Sequence, residues 1–317
     1  MCYKRKDATI AIAIFLTFII IFQFIDDFSF ISNSKDEIRF ERRQFVRSTK
    51  KLNRDEVFDA WHDCFLKRTQ VLRGNPAFLW ENLSHSVKDC DQIVEGVLDI
   101  QDYRNLDETK HHILPLDLKQ RSTIITLGIG HDVKAEELLK SELFPGKSKF
   151  YGADPIYDVN AESYSKIGAF FPFAVSNQSG YFNMSVYEQR WSYFRQYSVY
   201  VEKVVLVIDL VHFIKEIIKE PIIDQIFIDI EGAEYYMFES FYEDGRLDQN
   251  NITICQFNME IHKADDYKKK LAHDFVFLIL EDRRYGIFRT EICDHLRLYF
   301  VNLKNSYCLQ KYSHLLA

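Results

Sequence analysis

The feature that most constrains this chain is an apolar strand running straight into an acidic turn, residues 223–238, IDQIFIDIEGAEYYMF. The segment Ile226–Ile230 is too apolar for a strand with one wet face, which predicts a parallel strand covered on both sides. Asp229, Glu231 and Glu234 follow at its exit. An ionised carboxylate out of water is costly unless it is paired, so the cluster favours a functional site. The alternative is helix capping, which explains Glu234 well and Asp229 poorly.

The composition indicates one large α/β domain with shorter appended segments. The 317 residues are 47% hydrophobic and 15% aromatic, which is enough to bury a sizeable core. The formal net charge is −7, so the chain has no uniform basic field that would hold nucleic acid. We therefore expect no nucleic-acid partner.

An uncharged run near the N-terminus, residues 8–25, approaches the about 20 residues that a membrane span needs. Charged residues flank it on both sides: Lys4, Arg5, Lys6, Asp26 and Asp27. The basic flank favours a cytosolic N-terminus, and basic residues beyond the run weaken that argument. We predict an uncleaved signal anchor, hence a single-pass type II membrane protein of the endoplasmic reticulum or Golgi. A cleaved signal peptide is the alternative.

Two further patterns point to a lumenal body. Asn-x-Ser/Thr sites, the acceptors of N-glycosylation, occur at Asn82, Asn177, Asn183 and Asn251. Of six cysteines, Cys2 falls on the cytosolic side and Cys255 in an apolar strand, which leaves four to pair. We expect Cys64–Cys90 and Cys293–Cys308. No Cys-x-x-Cys or His-x-x-x-His spacing suggests zinc, and we predict no metal ligands from spacing.

The order of patterns along the chain predicts five segments. They are a cytosolic tail (1–7), a transmembrane anchor (8–25), a stem (26–54), a helical extension (55–120) and an α/β domain (121–317). Within the last two, alternating apolar runs and helical patterns are typical of βαβ units. The predicted strands are 123–127, 149–153, 169–175, 204–208, 226–230, 252–261, 275–281 and 296–303. The predicted helices are 133–143, 210–219, 233–244 and 264–272.

A strand, a Gly-x-Gly turn and a helix follow one another at residues 124–139, IITLGIGHDVKAEELL. Gly128 and Gly130 let the backbone pass close to a ligand. The third glycine of a dinucleotide fingerprint is missing, which argues against a pyrophosphate. The next strand ends at Asp154, where a carboxylate can accept hydrogen bonds from both ribose hydroxyls. S-adenosylmethionine, a nucleoside without pyrophosphate, suits this pattern. A turn or helix cap before Pro155 is the other interpretation of Asp154.

Five short motifs carry a resemblance to a known family. They are GIGHD at Gly128, GADP at Gly152, FAVSN at Phe173, IDIEGAE at Ile228 and QFNMEIH ending at His262. Together they resemble the FkbM-type S-adenosylmethionine-dependent methyltransferases, in a divergent membrane-anchored animal branch, over about residues 121–303. The resemblance implies a Rossmann-like class I methyltransferase fold, a mostly parallel seven-stranded sheet with helices on both faces. It places the cofactor over the first two strand ends and the acceptor near the fourth and fifth.

One departure from the class I pattern concerns the cofactor. Many class I enzymes carry an acidic residue just before the first glycine, where it contacts the methionine ammonium, and this chain has Thr126 and Leu127. Either another group meets that ammonium or cofactor binding is impaired. The departure keeps open a non-catalytic relative that retains the fold.

Methyl transfer to a hydroxyl requires positioning of the acceptor, exclusion of water and a base. Asp229, Glu231, Glu260 and His262 are the candidates at two neighbouring strand ends. We predict His262 as the base, since its ordinary pKa suits proton abstraction near neutrality. Glu231 is predicted to bind the acceptor hydroxyl or to orient His262. A surface histidine at a strand end is the alternative for His262.

The leading hypothesis is a lumenal O-methyltransferase that acts on glycan hydroxyls, and a small molecule with a hydroxyl group is the alternative acceptor. Aromatic residues before Val201 can stack on sugars or form core: Trp191, Tyr193, Phe194, Tyr197 and Tyr200. The alternative enzyme is a type II glycosyltransferase, with Asp229 and Glu231 as an Asp-x-Asp-like metal site. The order of a Gly-x-Gly turn followed by an acidic second strand favours the methyltransferase.

Overall fold

A computed structural model describes residues 54–191, 196–262 and 264–314. The predicted membrane anchor at residues 8–25, the tail before it and all but the end of the predicted stem lie outside the described residues. Within the described ranges, no helix has both the length and the apolar character of a membrane span.

The central element is a seven-stranded sheet. The strands, in chain order, are β1 (Ile100–Arg104), β2 (Thr109–Ile113), β3 (Thr123–Leu127), β4 (Lys149–Ala153), β5 (Ala169–Phe171), β6 (Ala174–Ser176), β7 (Gly180–Trp191), β8 (Gln196–Asp209), β9 (Ile222–Ile223), β10 (Gln225–Ile228), β11 (Thr253–Ile254), β12 (Gln256–Ile261), β13 (Tyr285–Ile292) and β14 (Leu296–Asn302). The sheet order is β13-β14-β12-β10-β3-β4-β5. The five neighbouring strands β12, β10, β3, β4 and β5 run parallel to one another. Strand β14 is antiparallel to both of its neighbours, β12 and β13.

Helices cover both faces of this sheet. They are α1 (Arg54–Thr69), α2 (Pro76–Asp91), α3 (Lys134–Glu142), α4 (Asp158–Tyr164), α5 (Leu210–His212, continued by a π-helical segment Phe213–Ile218), α6 (Arg246–Gln249), α7 (Asp266–Asp282) and α8 (Ser306–Tyr312). Ile124 and Ile125 of β3 are both fully buried but belong to different hydrophobic cores. The core of Ile124 includes Leu139 of α3, whereas that of Ile125 includes Phe275 of α7. The predicted mostly parallel sheet between helical layers is therefore confirmed.

Two hairpins flank the sheet. Strands β1 and β2 pair antiparallel, and amide side chains of β12 fasten β2 to the sheet. The Asn258 Oδ1 accepts a hydrogen bond of 2.9 Å from the His111 N–H, and the Gln256 Oε1 accepts one of 2.8 Å from the Ile113 N–H. Strands β7 and β8 form the longer hairpin, and β8 also pairs with β6 in a separate three-stranded sheet.

The predicted elements agree with the structure to different degrees. Strands β3 and β4 begin and end at the predicted residues. The strand predicted at 275–281 is wrong, because this segment is the second half of α7, which begins after an N-cap at Asp265. A short apolar run does not distinguish a buried strand from a buried helix. Strands β1, β2, β7 and β13 were not predicted, and the helix predicted at 233–244 contains two 3₁₀ segments, Glu234–Tyr236 and Phe238–Phe241.

Two disulfides join described elements. Cys64 and Cys90 link α1 to α2 as predicted, with their Cα atoms 5.9 Å apart. The predicted Cys293–Cys308 pair is wrong, since Cys308 of α8 is bonded to Cys255. The fold brings these two residues together by packing α8 beside the start of β12. Cys255 was interpreted from the sequence as a buried apolar residue, which hid its role as a bridge partner.

Candidate functional site

The Gly-x-Gly turn lies where the carboxyl ends of β3, β4 and β10 meet. Gly128 has φ of +76°, and a Cβ there would come within 1.7 Å of the Asp229 carbonyl oxygen. Its N–H donates a 2.9 Å hydrogen bond to the carbonyl of Ala153. Only glycine fits this conformation and this contact. Gly128 therefore packs the turn closely against the strand that carries the acidic cluster. Gly130, with φ of +61°, borders open space instead.

Asp154 holds the same turn from the tip of β4. It is only 6% exposed, and both of its oxygens accept backbone hydrogen bonds, at 2.8 Å from Ile129 and 2.7 Å from Ile156. Burial raises the pKa of Asp154, and these two hydrogen bonds oppose the rise. The carboxylate thus shapes the turn. Its contact with a ribose stays a prediction.

His131, the residue after Gly130, is a site residue that the sequence analysis did not single out. Its φ is +69°, and its N–H donates to the Asn160 Oδ1 at 3.0 Å. Both ring nitrogens are buried and have no hydrogen-bond partner in the described protein. Burial lowers the pKa of His131. The GIGHD motif places His131 beside the two glycines, but its backbone strain, of a kind that concentrates at functional sites, is visible only in the structure.

Thr126 stands where class I enzymes commonly have an acid, and the structure supplies a carboxylate beside it. The Thr126 hydroxyl donates to the Glu136 Oε1 at 3.3 Å and accepts from the Tyr164 hydroxyl at 3.1 Å. Glu136 is fully buried in the first turn of α3. The Lys110 ammonium, 2.9 Å away, neutralises it. An internal ion pair therefore occupies the neighbourhood of the missing acid.

The acidic cluster forms around one imidazole at the ends of β10 and β12. The His262 Nε2 lies 3.3 Å from the Asp229 Oδ1 and 3.2 Å from the Glu231 Oε2. The other ring nitrogen, Nδ1, lies 2.8 Å from the Glu234 Oε1. That oxygen also accepts a 2.9 Å hydrogen bond from the Ile230 N–H. The structure thus brings together residues that the sequence placed on two separate strands.

The geometry of the turn after β10 makes this convergence possible. Glu231 has φ of +56° although it is not glycine, and Gly232 follows with φ of +98°. Two successive left-handed residues reverse the chain, so that Glu234 returns beneath the end of the strand. The capping interpretation of Glu234 is correct in part, because its carboxylate accepts the Ile230 N–H as well as contacting His262.

Charge around His262 determines its protonation. Burial by itself would lower the pKa of His262, but hydrogen bonds to Glu231 and Glu234 and the charges of Glu234 and Asp229 raise it to about 11. Burial and the neighbouring carboxylates, Glu260 first among them, raise the pKa of Asp229. The imidazole therefore carries a proton at neutral pH in the ligand-free chain. The base role predicted for His262 requires that this proton leave first.

Glu260, the fourth candidate, is already paired. Both of its oxygens accept hydrogen bonds from Arg297, at 2.9 and 3.1 Å. The His295 ring also lies beside His262, with the two ring centroids 4.5 Å apart. Two sets of metal-ligating atoms share His262, and within each set the atoms lie within 4.8 Å of one another: Asp229, Glu231 and His262, and Glu260, His262 and His295.

The β7–β8 hairpin reaches this edge with aromatic rings. The Tyr200 hydroxyl is hydrogen-bonded to Glu231, and its ring centroid lies 5.0 Å from that of Tyr187. The Tyr187 ring in turn lies 5.8 Å from His131. The hairpin therefore links the glycine turn to the acidic cluster. Tyr200 is 54% exposed, so it is not a core residue. Tyr193 and Phe194 lie outside the described residues.

Comparison with known proteins identifies the family of the chain. A family model for the methyltransferase FkbM domain matches residues 74–287, more than half of the chain. None of the curated proteins compared with the chain matches it. Among solved structures, fibrillarin of Aeropyrum pernix in complex with S-adenosyl-L-methionine is similar at 11% identity, with a TM-score of 0.31, over 59% of this chain and 69% of that chain. The family match begins ahead of the predicted resemblance and includes the β1–β2 hairpin. The chain belongs to the FkbM methyltransferase domain family, and its cofactor is S-adenosylmethionine.

Proposed function

We propose that this protein is an O-methyltransferase that transfers the methyl group of S-adenosylmethionine to a hydroxyl acceptor. One observation carries the proposal. The glycine turn and the acidic cluster touch, because Gly128 packs against the Asp229 carbonyl. A cofactor held at the turn and a hydroxyl held at the cluster would be neighbours, which is the arrangement that a displacement reaction needs.

The residues at the turn fit the cofactor. Gly130 faces open space that a side chain would otherwise fill, and the two unpartnered ring nitrogens of His131 call for hydrogen-bonding groups from a ligand. When bound, S-adenosylmethionine supplies an electrophilic methyl group on sulfur. Gly130 and His131 would hold it, with Asp154 keeping the turn in shape and accepting from its ribose.

The residues of the cluster would hold the acceptor. Asp229 and Glu231 present carboxylate oxygens to a hydroxyl, and His262 holds both of them in place from behind. Tyr200, hydrogen-bonded to Glu231, would close the acceptor side and limit the entry of water. The family match favours this function over a glycosyltransferase.

For the acceptor we propose a glycan hydroxyl, in the lumen of the secretory pathway. The Cys64–Cys90 and Cys255–Cys308 disulfides support an oxidising compartment. Asn183 and Asn251 are exposed, as N-glycosylation requires, while Asn82 and Asn177 are half-buried. The predicted signal anchor also supports a lumenal location, and that anchor is a prediction from the sequence alone.

The test uses the full-length chain, S-adenosylmethionine labelled with ¹³C in its methyl group, and methyl glycosides of neutral hexoses as acceptors. A labelled methyl ether, detected by mass spectrometry, is the expected product. Glu231→Gln should reduce product formation, and Glu239→Gln, which removes an exposed carboxylate from the same segment, should not. Cofactor binding without any methyl ether would leave the family assignment intact and overturn the glycan acceptor.

Localisation is tested separately. A C-terminal reporter should be protected from cytosolic protease, and an endoglycosidase should increase the electrophoretic mobility of the protein. A protease-accessible C-terminus together with unchanged mobility would overturn the lumenal assignment.

A further inference from the structure

Asp229, Glu231 and His262 each offer one possible ligand atom, and these three atoms lie within 4.8 Å of one another. The His262 Nε2 is 3.3 Å from the Asp229 Oδ1 and 3.2 Å from the Glu231 Oε2. Adjacent ligands of an octahedral Mg²⁺ ion, at bond lengths of about 2.1 Å, stand about 3.0 Å apart. The observed separations need only a small adjustment to become two edges of such an octahedron.

We propose that Asp229, Glu231 and His262 bind a divalent cation of the Mg²⁺ or Mn²⁺ type. A set of two carboxylates and one imidazole suits these cations, and the remaining coordination positions are left for water and a substrate oxygen. The sequence suggested Asp229 and Glu231 as metal ligands only under the alternative glycosyltransferase interpretation, and it did not add His262, which follows a different strand.

Glu234 supports the proposal independently of the three ligands. It is fully buried, its Oε1 accepts the Nδ1 hydrogen of His262, and its Oε2 has no partner among the described residues. With the Nδ1 hydrogen held by this carboxylate, a neutral imidazole carries its lone pair on Nε2, the nitrogen that faces Asp229 and Glu231. Metal-binding histidines almost always have such a partner.

The balance of charge also calls for a cation. Glu260 is paired with Arg297, and the Lys110 ammonium is shared by Glu108 at 3.2 Å and Glu136 at 2.9 Å. Asp229, Glu231 and Glu234 share the single imidazole of His262. Three partly or fully buried carboxylates around one histidine leave an excess of negative charge, which a divalent ion would offset.

The role of this ion rests on the proposed function. Because the backbone of Asp229 packs against Gly128, a cation at this site would hold an acceptor hydroxyl next to the cofactor turn. A hydroxyl bound to a divalent cation loses its proton more readily, so the cation would activate the acceptor in place of His262, which as a ligand could not act as the base. Loss of the cation should therefore remove methyl transfer and leave cofactor binding intact.

The test measures Mn²⁺ binding to the full-length chain by EPR, following the loss of the sharp signal of aqueous Mn²⁺ on titration with protein. We expect binding with a Kd below about 10⁻⁴ M, and Mg²⁺ should compete. His262→Ala and Glu231→Gln should each weaken Mn²⁺ binding by at least about tenfold, with folding verified by circular dichroism. Glu239→Gln is the matched control and should bind as the wild type does.

Separate results would overturn the metal site and the proposed function. Absence of Mn²⁺ binding to the folded wild type, or unchanged binding by folded Glu231→Gln and His262→Ala, overturns the metal site. Calorimetry of S-adenosylmethionine in EDTA is run alongside. Methyl transfer that persists in EDTA would leave the proposed function standing and remove the cation from it. Mn²⁺ bound by the three residues, with no methyl transfer to any hydroxyl, would leave the metal site standing and overturn the proposed function.

Discussion

A buried acid and a buried histidine lie near each end of strand β10, and the balance of charge around them differs between the two ends. At the amino end, Asp224 accepts hydrogen bonds from Lys311 at 2.7 Å, from the Tyr312 hydroxyl at 2.6 Å and from the Thr123 N–H at 2.7 Å. One carboxylate thus meets one ammonium. At the carboxyl end, three carboxylates meet one imidazole, that of His262.

The histidines show the same contrast. His112 is fully buried, its Nδ1 shares a 3.0 Å hydrogen bond with the Gln225 amide, and burial lowers its pKa to about 4. His262 is 8% exposed, and its carboxylate neighbours raise its pKa to about 11 despite burial. Similar burial therefore gives opposite protonation states. The amino end has its charges matched, which is typical of a structural network, whereas the carboxyl end holds unmatched charge of the kind found at ligand sites.

The largest expected effect is at the turn that seals the carboxyl end. Gly128→Ala would place a Cβ 1.7 Å from the Asp229 carbonyl oxygen, at φ of +76°, and neither backbone can retreat without moving a strand. We expect a loss of about 4 kcal/mol or more in the free energy of unfolding. Gly130→Ala, at φ of +61° with open space around it, should cost only about 1 kcal/mol. Equal losses in denaturant titrations would show that close packing against Asp229 is not what Gly128 provides.

At the amino end, Lys311→Met should cost about 4 kcal/mol, because it leaves Asp224 buried with no cation. Asp224→Asn in the same background should recover part of that loss, since the double variant buries no unpaired charge. Urea titrations of the two single variants and the double variant form the cycle. Additive losses would mean that the two groups are not a matched pair.

Much of this difference in charge balance between the two ends of β10 could not be predicted from the sequence. The apolar runs of β3 and β4 and the acidic exit of β10 predicted the sheet, the turn and the cluster, because a short apolar run bounded by turn residues is a local pattern. The sequence also placed His262 beside Asp229 and Glu231. It did not show that Arg297, on β14, neutralises Glu260 while the other three carboxylates share one imidazole. Such partners depend on strand order, which local patterns do not encode.

Other errors have the same origin. The α7 segment 275–281 was predicted as a strand since its apolar residues are consecutive, and the capping residue Asp265 lies ten residues earlier. Cys255 and Cys308 are separated by 53 residues, and only the packing of α8 on the sheet pairs them. His131 was within a quoted motif, but its unpartnered nitrogens are visible only once the hairpin and the turn are in place.

The protonation contrast can be tested by pH. The pKa of His112 is about 4 in the folded chain, below its ordinary value of 6.5, so the unfolded chain binds this proton more readily. Stability from the neutral imidazole is therefore complete above pH 6.5 and is lost as pH falls toward 4, by about 3 kcal/mol. His112→Gln should remove this part of the pH dependence of urea unfolding. The exposed His85→Gln is the control, and equal slopes in all three proteins would contradict the assignment.

A smaller effect is expected at Asp154, on the strand next to the turn. Asp154→Ala leaves the N–H groups of Ile129 and Ile156 without acceptors, which should cost about 2 kcal/mol in unfolding free energy. If the carboxylate also meets the ribose, S-adenosylmethionine affinity should fall by about 2 to 3 kcal/mol, measured by calorimetry. A folded variant with lower stability and unchanged affinity would restrict Asp154 to holding the turn.

The smallest expected change in stability is also the sharpest test of the contrast. Glu231→Gln removes one of three carboxylates that share a single imidazole, and the amide oxygen can still accept from His262 and from Tyr200. Relief of repulsion with Asp229 offsets the weaker hydrogen bonds, so we expect unfolding in EDTA to change by less than about 1 kcal/mol, in either direction.

The same variant should nevertheless lose function, with weaker Mn²⁺ binding and slower methyl transfer than Glu239→Gln. A charge that contributes little to stability and much to ligand binding marks the carboxyl end of β10 as a site. If Glu231→Gln instead destabilised the fold as much as Lys311→Met does, the carboxylates around His262 would be a structural ion network like that of Asp224. The two ends of the strand would then differ in geometry, but both would serve to stabilise the fold.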